Sequence, residues 1–174
     1  MKRIRPVQPS DSPELAEILR RTWGSTEMDT RGRLVDILAL PGFIAQEDDA
    51  WLGYLNYENR EGDVEIIALE ALVEGQGVAS ALLARAVEAA TEEAARRLWL
   101  LTSNDNTPAL RFYQRRGFVL VAVHRDAITH ARATIKPELP LVGRDDIPLR
   151  DEIELELPQG MWRDFVTRYG WERK

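Results

Sequence analysis

The sequence has no cysteine, which excludes disulfides, thiolate catalysis and cysteine-ligated metals. It also lacks any apolar run of about 18 residues, the length a membrane-spanning helix needs. The amino terminus, MKRIRPVQPSDS, carries no hydrophobic core of the signal-peptide kind, so a cytoplasmic protein without a membrane partner is expected. A cationic surplus is missing too. The net charge is −6, which argues against nucleic acid as a partner and favours a neutral or cationic substrate. Repeats, low-complexity segments and domain linkers are absent. What is present suits one globular domain: 174 residues, 44% hydrophobic and 30% charged, enough to bury a substantial core.

The most informative stretch is Asp63 to Leu83, DVEIIALEALVEGQGVASALL. Val64, Ile66, Ile67 and Leu69 spell a strand buried on both faces, and Leu72 and Val73 continue its character as far as Gly75. Gly75, Gly77 and Ala79 then alternate with Gln76 and Val78, which lets the backbone pass close to a ligand. From there Val78, Leu82, Ala86 and Ala89 recur at helical spacing, with Leu83, Val87, Ala90 and Ala94 beside them. A helix entered through such a turn offers unpaired N–H groups and the positive end of its dipole, a seat for phosphate or pyrophosphate. Alone, the turn fits a ligand-free strand-to-helix connection equally well. A dinucleotide-binding turn is a third option, against which the missing third glycine counts.

A second stretch narrows the choice. Asn106 to Phe118 reads NTPALRFYQRRGF, and together with the Gly75–Ala79 turn it resembles the GCN5-related N-acetyltransferase (GNAT) superfamily. In that family a Q/R-x-x-G-x-G/A turn cradles the pyrophosphate of coenzyme A, and an N-x-x-A-x-x-F-Y-x-x-x-G-F segment follows it. The second motif is matched at Asn106, Ala109, Phe112, Tyr113, Gly117 and Phe118. The resemblance implies an α/β GNAT fold: a central mixed, mostly antiparallel β-sheet of about seven strands flanked by helices, with a V-shaped opening between the central strand and the next. Residues 1–157 form the acetyltransferase domain on this basis, and 158–174 a carboxyl-terminal extension packed on the same domain. The implied activity is transfer of an acetyl group from acetyl-CoA, as cosubstrate and without a metal, to a primary amine of a small molecule or peptide by direct attack. Glu74 stands where the family has Gln or Arg, which leaves open a CoA-binding sensor or interaction module without catalysis.

The resemblance also implies roles for particular residues. The backbone of Gly75, Gln76, Gly77, Val78, Ala79 and Ser80 would hold the pyrophosphate. Ala71, Leu72 and Val73 would hydrogen-bond the pantetheine arm, and Asn106 would contact it too, although Asn106 or Thr107 also suits a helix cap. Tyr113 would protonate or hydrogen-bond the departing thiolate, the alternative being an aromatic packed beside Phe112. A phenol of pKa near 10 gives a proton to a thiolate of pKa about 8.5 with little driving force, so positioning matters more than acidity. The attacking amine must lose a proton, and Glu65 and Glu70 are candidates to accept it, with Glu70 nearer the carbonyl end. Regular alternation puts the two on opposite faces unless a bulge intervenes. His124 and His130 are further possible bases. Trp23 and Gly24 fall where relatives build the substrate pocket, and Trp23 equally suits the core.

The remaining chain supplies the frame. Arg3 to Val7 reads as a strand that Pro6 assigns to an edge or an end, and Ser10 to Ser12 start a helix that Gly24 ends. Leu34, Ile37 and Leu38 suggest a second short helix within Met28–Leu40. Phe43–Ala45 and Trp51–Tyr57 read as strands, and Arg96–Leu101 as a strand returning parallel to the central one. Thr107 caps a helix that starts at Pro108 and ends at Gly117. Phe118–Val123 is a strand, His124–Ile135 a helix, and Pro137, Pro140 and Pro148 impose an irregular loop. Glu152–Leu157 alternates as a half-exposed strand with its carboxylates outward. The strand from Ile153 to Leu157 and the tail from Met161 to Lys174, which carries Trp162, Phe165, Tyr169 and Trp171, could form a homodimer interface.

Overall fold

The computed structural model describes residues 1–171, so the last three residues of the expected extension lie outside the described part. The chain opens with β1 (Lys2–Pro6), α1 (Ser12–Trp23), β2 (Glu27–Thr30) and β3 (Arg33–Asp36). A meander of β4 (Gly42–Glu47), β5 (Ala50–Arg60) and β6 (Asp63–Ala71) leads to α2 (Val78–Glu92) and β7 (Arg97–Ser103). Then come α3 (Thr107–Gln114), β8 (Val119–His124), α4 (Ala127–Thr134), β9 (Glu152–Glu156) and α5 (Trp162–Tyr169). Seven strands form one sheet in the order β1-β4-β5-β6-β7-β9-β8. Every pairing in it is antiparallel except β6–β7, a parallel contact made possible by the α2 crossover. Among the described residues no helix is long and apolar enough to cross a membrane.

Strand alternation sorts the core into two layers. Phe43, Ala45, Tyr57, Val64 and Ile66 join one cluster with α2 and with Trp162 and Phe165 of α5. Ile44, Tyr54 and Ala68 join a second with Leu15, Ile18 and Leu19 of α1. Nearly every residue of α2 from Val78 to Ala90 is buried, because the sheet covers one side and α5 another. Apolar burial on this scale, at about 25 cal/mol per Å², holds the turn before α2 in place.

Three expectations need correction. Met28–Leu40 is a β-hairpin followed by one short 3-10 turn at Ile37–Ala39. Arg31 (φ 51°) and Gly32 (φ 77°) both adopt the left-handed conformation, which closes a tight two-residue hairpin. The helical-looking spacing of Ile37 and Leu38 belongs to that single turn. Next, β6 ends at Ala71 rather than running on to Gly75, and Leu72 instead donates its N–H to the Leu52 carbonyl at 2.8 Å. Lastly, the carboxylates of β9, the strand between β7 and β8, are not turned to open solvent: Glu152 and Glu156 are half-buried. Glu154 is buried, accepts from Arg97 and lies 2.6 Å from His124 Nε2. The outer strand is β8, which leaves Val119, Leu120, Val121 and Val123 exposed.

Candidate active site

The turn before α2 is built from backbone. Gly75 and Gly77 both hold φ 72°, a conformation that favours glycine, and Gly77 is the residue that precedes the helix. A Cβ on either would meet nothing within 4 Å, and Glu74 to Gly77 are exposed, so the turn is an open cradle. The first helical hydrogen bond runs from Ala81 N–H to Gly77 C=O at 3.0 Å. The N–H groups of Val78, Ala79 and Ser80 are therefore without partners inside the helix. An open cradle, orphaned donors and the positive dipole end fit a pyrophosphate. The exposed Glu74 carboxylate at its rim works against one.

A cation that sequence reasoning missed stands beside this cradle. Arg116 donates from Nε to the buried Ser80 Oγ at 2.8 Å and from Nη1 to the Phe112 carbonyl at 3.0 Å. Its guanidinium stacks 3.7 Å from the Phe112 ring centroid. The only signal for it was its place beside Gly117 in the second motif.

The V-shaped opening is visible in the ladder. β6 and β7 pair only over Asp63–Ile66 and Arg97–Leu100. Beyond these residues β7 stays with β9, and the β7 side of β6 from Ile67 to Ala71 has no ladder partner. Ala71, Leu72 and Val73 thus line the mouth. Gly53, another residue without a sequence signal, sits across from Ala71. A Cβ there would come within 2.5 Å of the Glu70 carbonyl and 2.8 Å of Val78 Cγ1, so its bareness lets β5, β6 and α2 meet.

A bulge decides the placement of the two carboxylates. Asn56 faces Ala68 while Tyr57 faces Ile66, which leaves Ile67 as the extra residue and brings Glu65 and Glu70 onto one face. They remain in different surroundings. Glu65 is buried under the hairpin, where Thr30 Oγ1 donates to it. Glu70 is half-buried opposite Tyr54. Burial raises the Glu70 carboxyl above its ordinary range, and Arg144 pulls it back. Tyr54 is fully buried, and its hydroxyl accepts the Trp23 indole N–H at 3.0 Å. Trp23 itself is 41% exposed, so it is not core.

Tyr113 approaches from the other layer. Its ring packs edge-on to Phe112 at 5.1 Å and tilted against Phe118 at 5.2 Å. Burial raises its phenol above the ordinary value, Arg116 opposes this and Glu70 adds to it. Asn106 caps α3, its Oδ1 accepting from Ala109 N–H at 3.3 Å, and Thr107 is the first helical residue rather than the cap. Asn104 accepts from the N–H groups of Arg150 and Asp151 at 3.0 and 2.9 Å, and Asp105 accepts from Arg144 N–H at 2.9 Å. These bonds staple the loop after α4 to the start of α3 and bring Arg144 towards Glu70.

Other titratable groups lie apart from this mouth. His124 is tied to Glu154, and His130 is exposed on α4. Burial pushes Glu152 up to about 7, with Asp29 and Glu65 adding to the effect and His124 and Arg31 opposing it. A cleft of about 300 Å³ bordered by Thr30, Arg31, Arg60, Glu65 and Trp99 opens at the amino-terminal end of β6. Among the described residues no group of three or more His, Cys, Asp or Glu is arranged to hold a metal ion.

Comparison with known proteins agrees with this geometry. The family model described as "Acetyltransferase (GNAT) family" matches residues 12–118. The uncharacterized protein YxbD of Bacillus subtilis (strain 168) is 35% identical over 142 residues, covering 81% of this chain and 89% of that one. Streptothricin acetyltransferase of Streptomyces lavendulae is 34% identical over 79 residues, 45% of this chain and 38% of its own. The crystal structure of a GNAT family acetyltransferase from Elizabethkingia anophelis with acetyl-CoA bound shares the fold at a TM-score of 0.63 and 18% identity, covering 90% of this chain and 97% of that chain. With a sheet that parts after Ile66, an open glycine turn before α2 and a family match over most of its length, the chain belongs to the GNAT acetyltransferase family, whose cosubstrate is acetyl-CoA.

Proposed function

We propose that the chain is an N-acetyltransferase that acetylates a primary amine of a small molecule or peptide, with Tyr113 and Glu70 as its catalytic pair. What supports this is a sheet that parts after Ile66 beside the open glycine turn before α2, with Tyr113 packed on Phe112 and Phe118 in one layer and Glu70 half-buried opposite Tyr54 on the other. The likeness to streptothricin acetyltransferase supports a small-molecule acceptor. The net charge of −6 supports a cationic one, and the lack of cysteine suits the reducing cytoplasm.

When bound, acetyl-CoA supplies a thioester carbonyl open to an amine and a sulfur that leaves as thiolate. The cradle from Gly75 to Ser80 would hold the pyrophosphate, while the backbone of Ala71 to Val73 and the Asn106 side chain would line the arm. Amines of pKa near 10 arrive protonated, so the Glu70 carboxylate takes a proton at its oxygen, directly or through one water. The Tyr113 hydroxyl donates to the leaving side. Being raised by burial, it remains protonated at neutral pH and is never lost as a donor.

A turnover assay over a panel of primary amines, following free thiol and product mass, tests this. At least one amine is expected to gain 42 mass units, roughly one acetyl group, with N-linkage shown by fragmentation. The exposed Glu74 favours the second reading, a CoA-binding module without catalysis, and binding of CoA with no turnover on any amine would select it.

A further inference from the structure

Tyr54 is a buried polar group that the reaction above does not use. It is 0% exposed on β5, and its Cα is paired directly with that of Glu70 across the antiparallel ladder. Directly paired residues project their side chains from the same face, with Cβ atoms about 5 Å apart. The phenol oxygen accepts the Trp23 indole N–H at 3.0 Å. An indole nitrogen only donates, so the single O–H proton of Tyr54 must go elsewhere. Among the described residues no acceptor lies within direct hydrogen-bond range of it, and Glu70 is the carboxylate that acts on it.

Resting on the assignment of Glu70 as the proton acceptor, we propose that Tyr54 is a positioning residue: pinned by Trp23, it directs its O–H, through one enclosed water, at the Glu70 carboxyl. Burial first, and the Glu70 charge further, push the phenol up to about 12, against the Trp23 bond. It is therefore a fixed donor throughout the working pH range. The titratable and charged groups that act on Glu70 are Tyr54, its ladder partner on β5, and, at longer electrostatic range, Tyr113 from α3 and Arg144 from the loop after α4. Tyr54 is the one whose donor direction is set by a further side chain. Trp23 gains a purpose here as well: a large indole left 41% exposed at the end of α1 holds the phenol from turning away.

The kcat/KM–pH profile of the full chain, with the best amine from the panel, tests this. Glu70 works as its anion, so activity rises with pH through its apparent pKa. Removing a donor to that anion makes it easier to protonate, so Tyr54→Phe is expected to move the acid limb upward by about half to one pH unit. A fall in kcat of about 10-fold at the lower pH should accompany it, with KM for acetyl-CoA unchanged. Trp23→Phe, at an exposed position that does not threaten folding, should shift the limb the same way by less. Glu70→Gln should erase the limb, and Tyr54→Phe on that background should add nothing. A Tyr54→Phe protein with a lowered melting temperature but the wild-type limb would make Tyr54 structural only and overturn the proposal. Should Trp23→Phe leave the limb in place while Tyr54→Phe cannot be folded, the proposal fails too. A Glu70→Gln enzyme that keeps the acid limb would instead remove the role of Glu70, and the positioning of it by Tyr54 falls with that.

Discussion

Replacing Tyr113 by phenylalanine keeps the ring that packs on Phe112 and Phe118 and removes only the hydroxyl. Stability should change by less than about 1 kcal/mol and CoA affinity hardly at all, while kcat falls about 100-fold, the usual worth of a positioned proton donor. Calorimetry beside steady-state kinetics separates the two effects, and an unchanged kcat would leave Tyr113 as packing alone. Glu152 tells the opposite story, of a carboxyl that burden of burial makes pH-sensitive. Its folded value of about 7 lies above the ordinary 4.5, so the protonated form is the one the fold favours. The stability it contributes is whole below about pH 4.5 and is lost as pH rises through about 7, a change of about 3 kcal/mol at most. Glu152→Gln should therefore hold its melting temperature between about pH 5 and 8, where the wild type declines. Parallel curves for the two proteins would refute this. The alternating sequence of β9 showed that its glutamates share a face, but not that Glu65 of β6 and Asp29 and Arg31 of the hairpin stand near Glu152 there.

At the scale of elements, the junction of β5, β6 and α2 is set by Gly53. Gly53→Ala would push a methyl towards the Glu70 carbonyl and Val78 Cγ1. Overpacking of this kind costs about 1–3 kcal/mol. It should also displace the start of α2, so weaker CoA binding is expected alongside a lower denaturant midpoint; stability loss with unaltered affinity would contradict the coupling. On the far side of the sheet, Arg97 holds both Glu154 and Glu156. Arg97→Met should cost about 1–3 kcal/mol, since the buried Glu154 keeps His124 but loses its guanidinium partner and Glu156 loses its own, and urea unfolding measures it. The strands, α2 and α3 were legible because their periodicity and caps are local. Met28–Leu40 was not, since one 3-10 turn at Ile37–Ala39 imitates helical spacing and Arg31-Gly32 is not one of the Asn-Gly or Asp-Gly pairs that mark a two-residue hairpin. The bulge at Ile67 was unreadable for another reason: it is a property of pairing with β5, and nothing in β6 alone marks it.

Over the whole molecule, the sheet order and the open V follow from one parallel pairing that stops at Ile66, and the cradle from the glycine turn that α2 and its apolar burial hold in place. Two motifs sufficed to foresee that much, because they encode backbone. Tyr54 and Arg144, by contrast, come from segments far apart in sequence and carry no pattern of their own, while Trp23 and Arg116 had only their places at the end of α1 and beside Gly117 to mark them. Everything rests on acetyl-CoA occupying that mouth. Isothermal titration of acetyl-CoA into the full chain measures this directly: one site per chain with a Kd of about 100 μM or tighter, near −5.5 kcal/mol, is the expected result, and no heat of binding at millimolar ligand would contradict it.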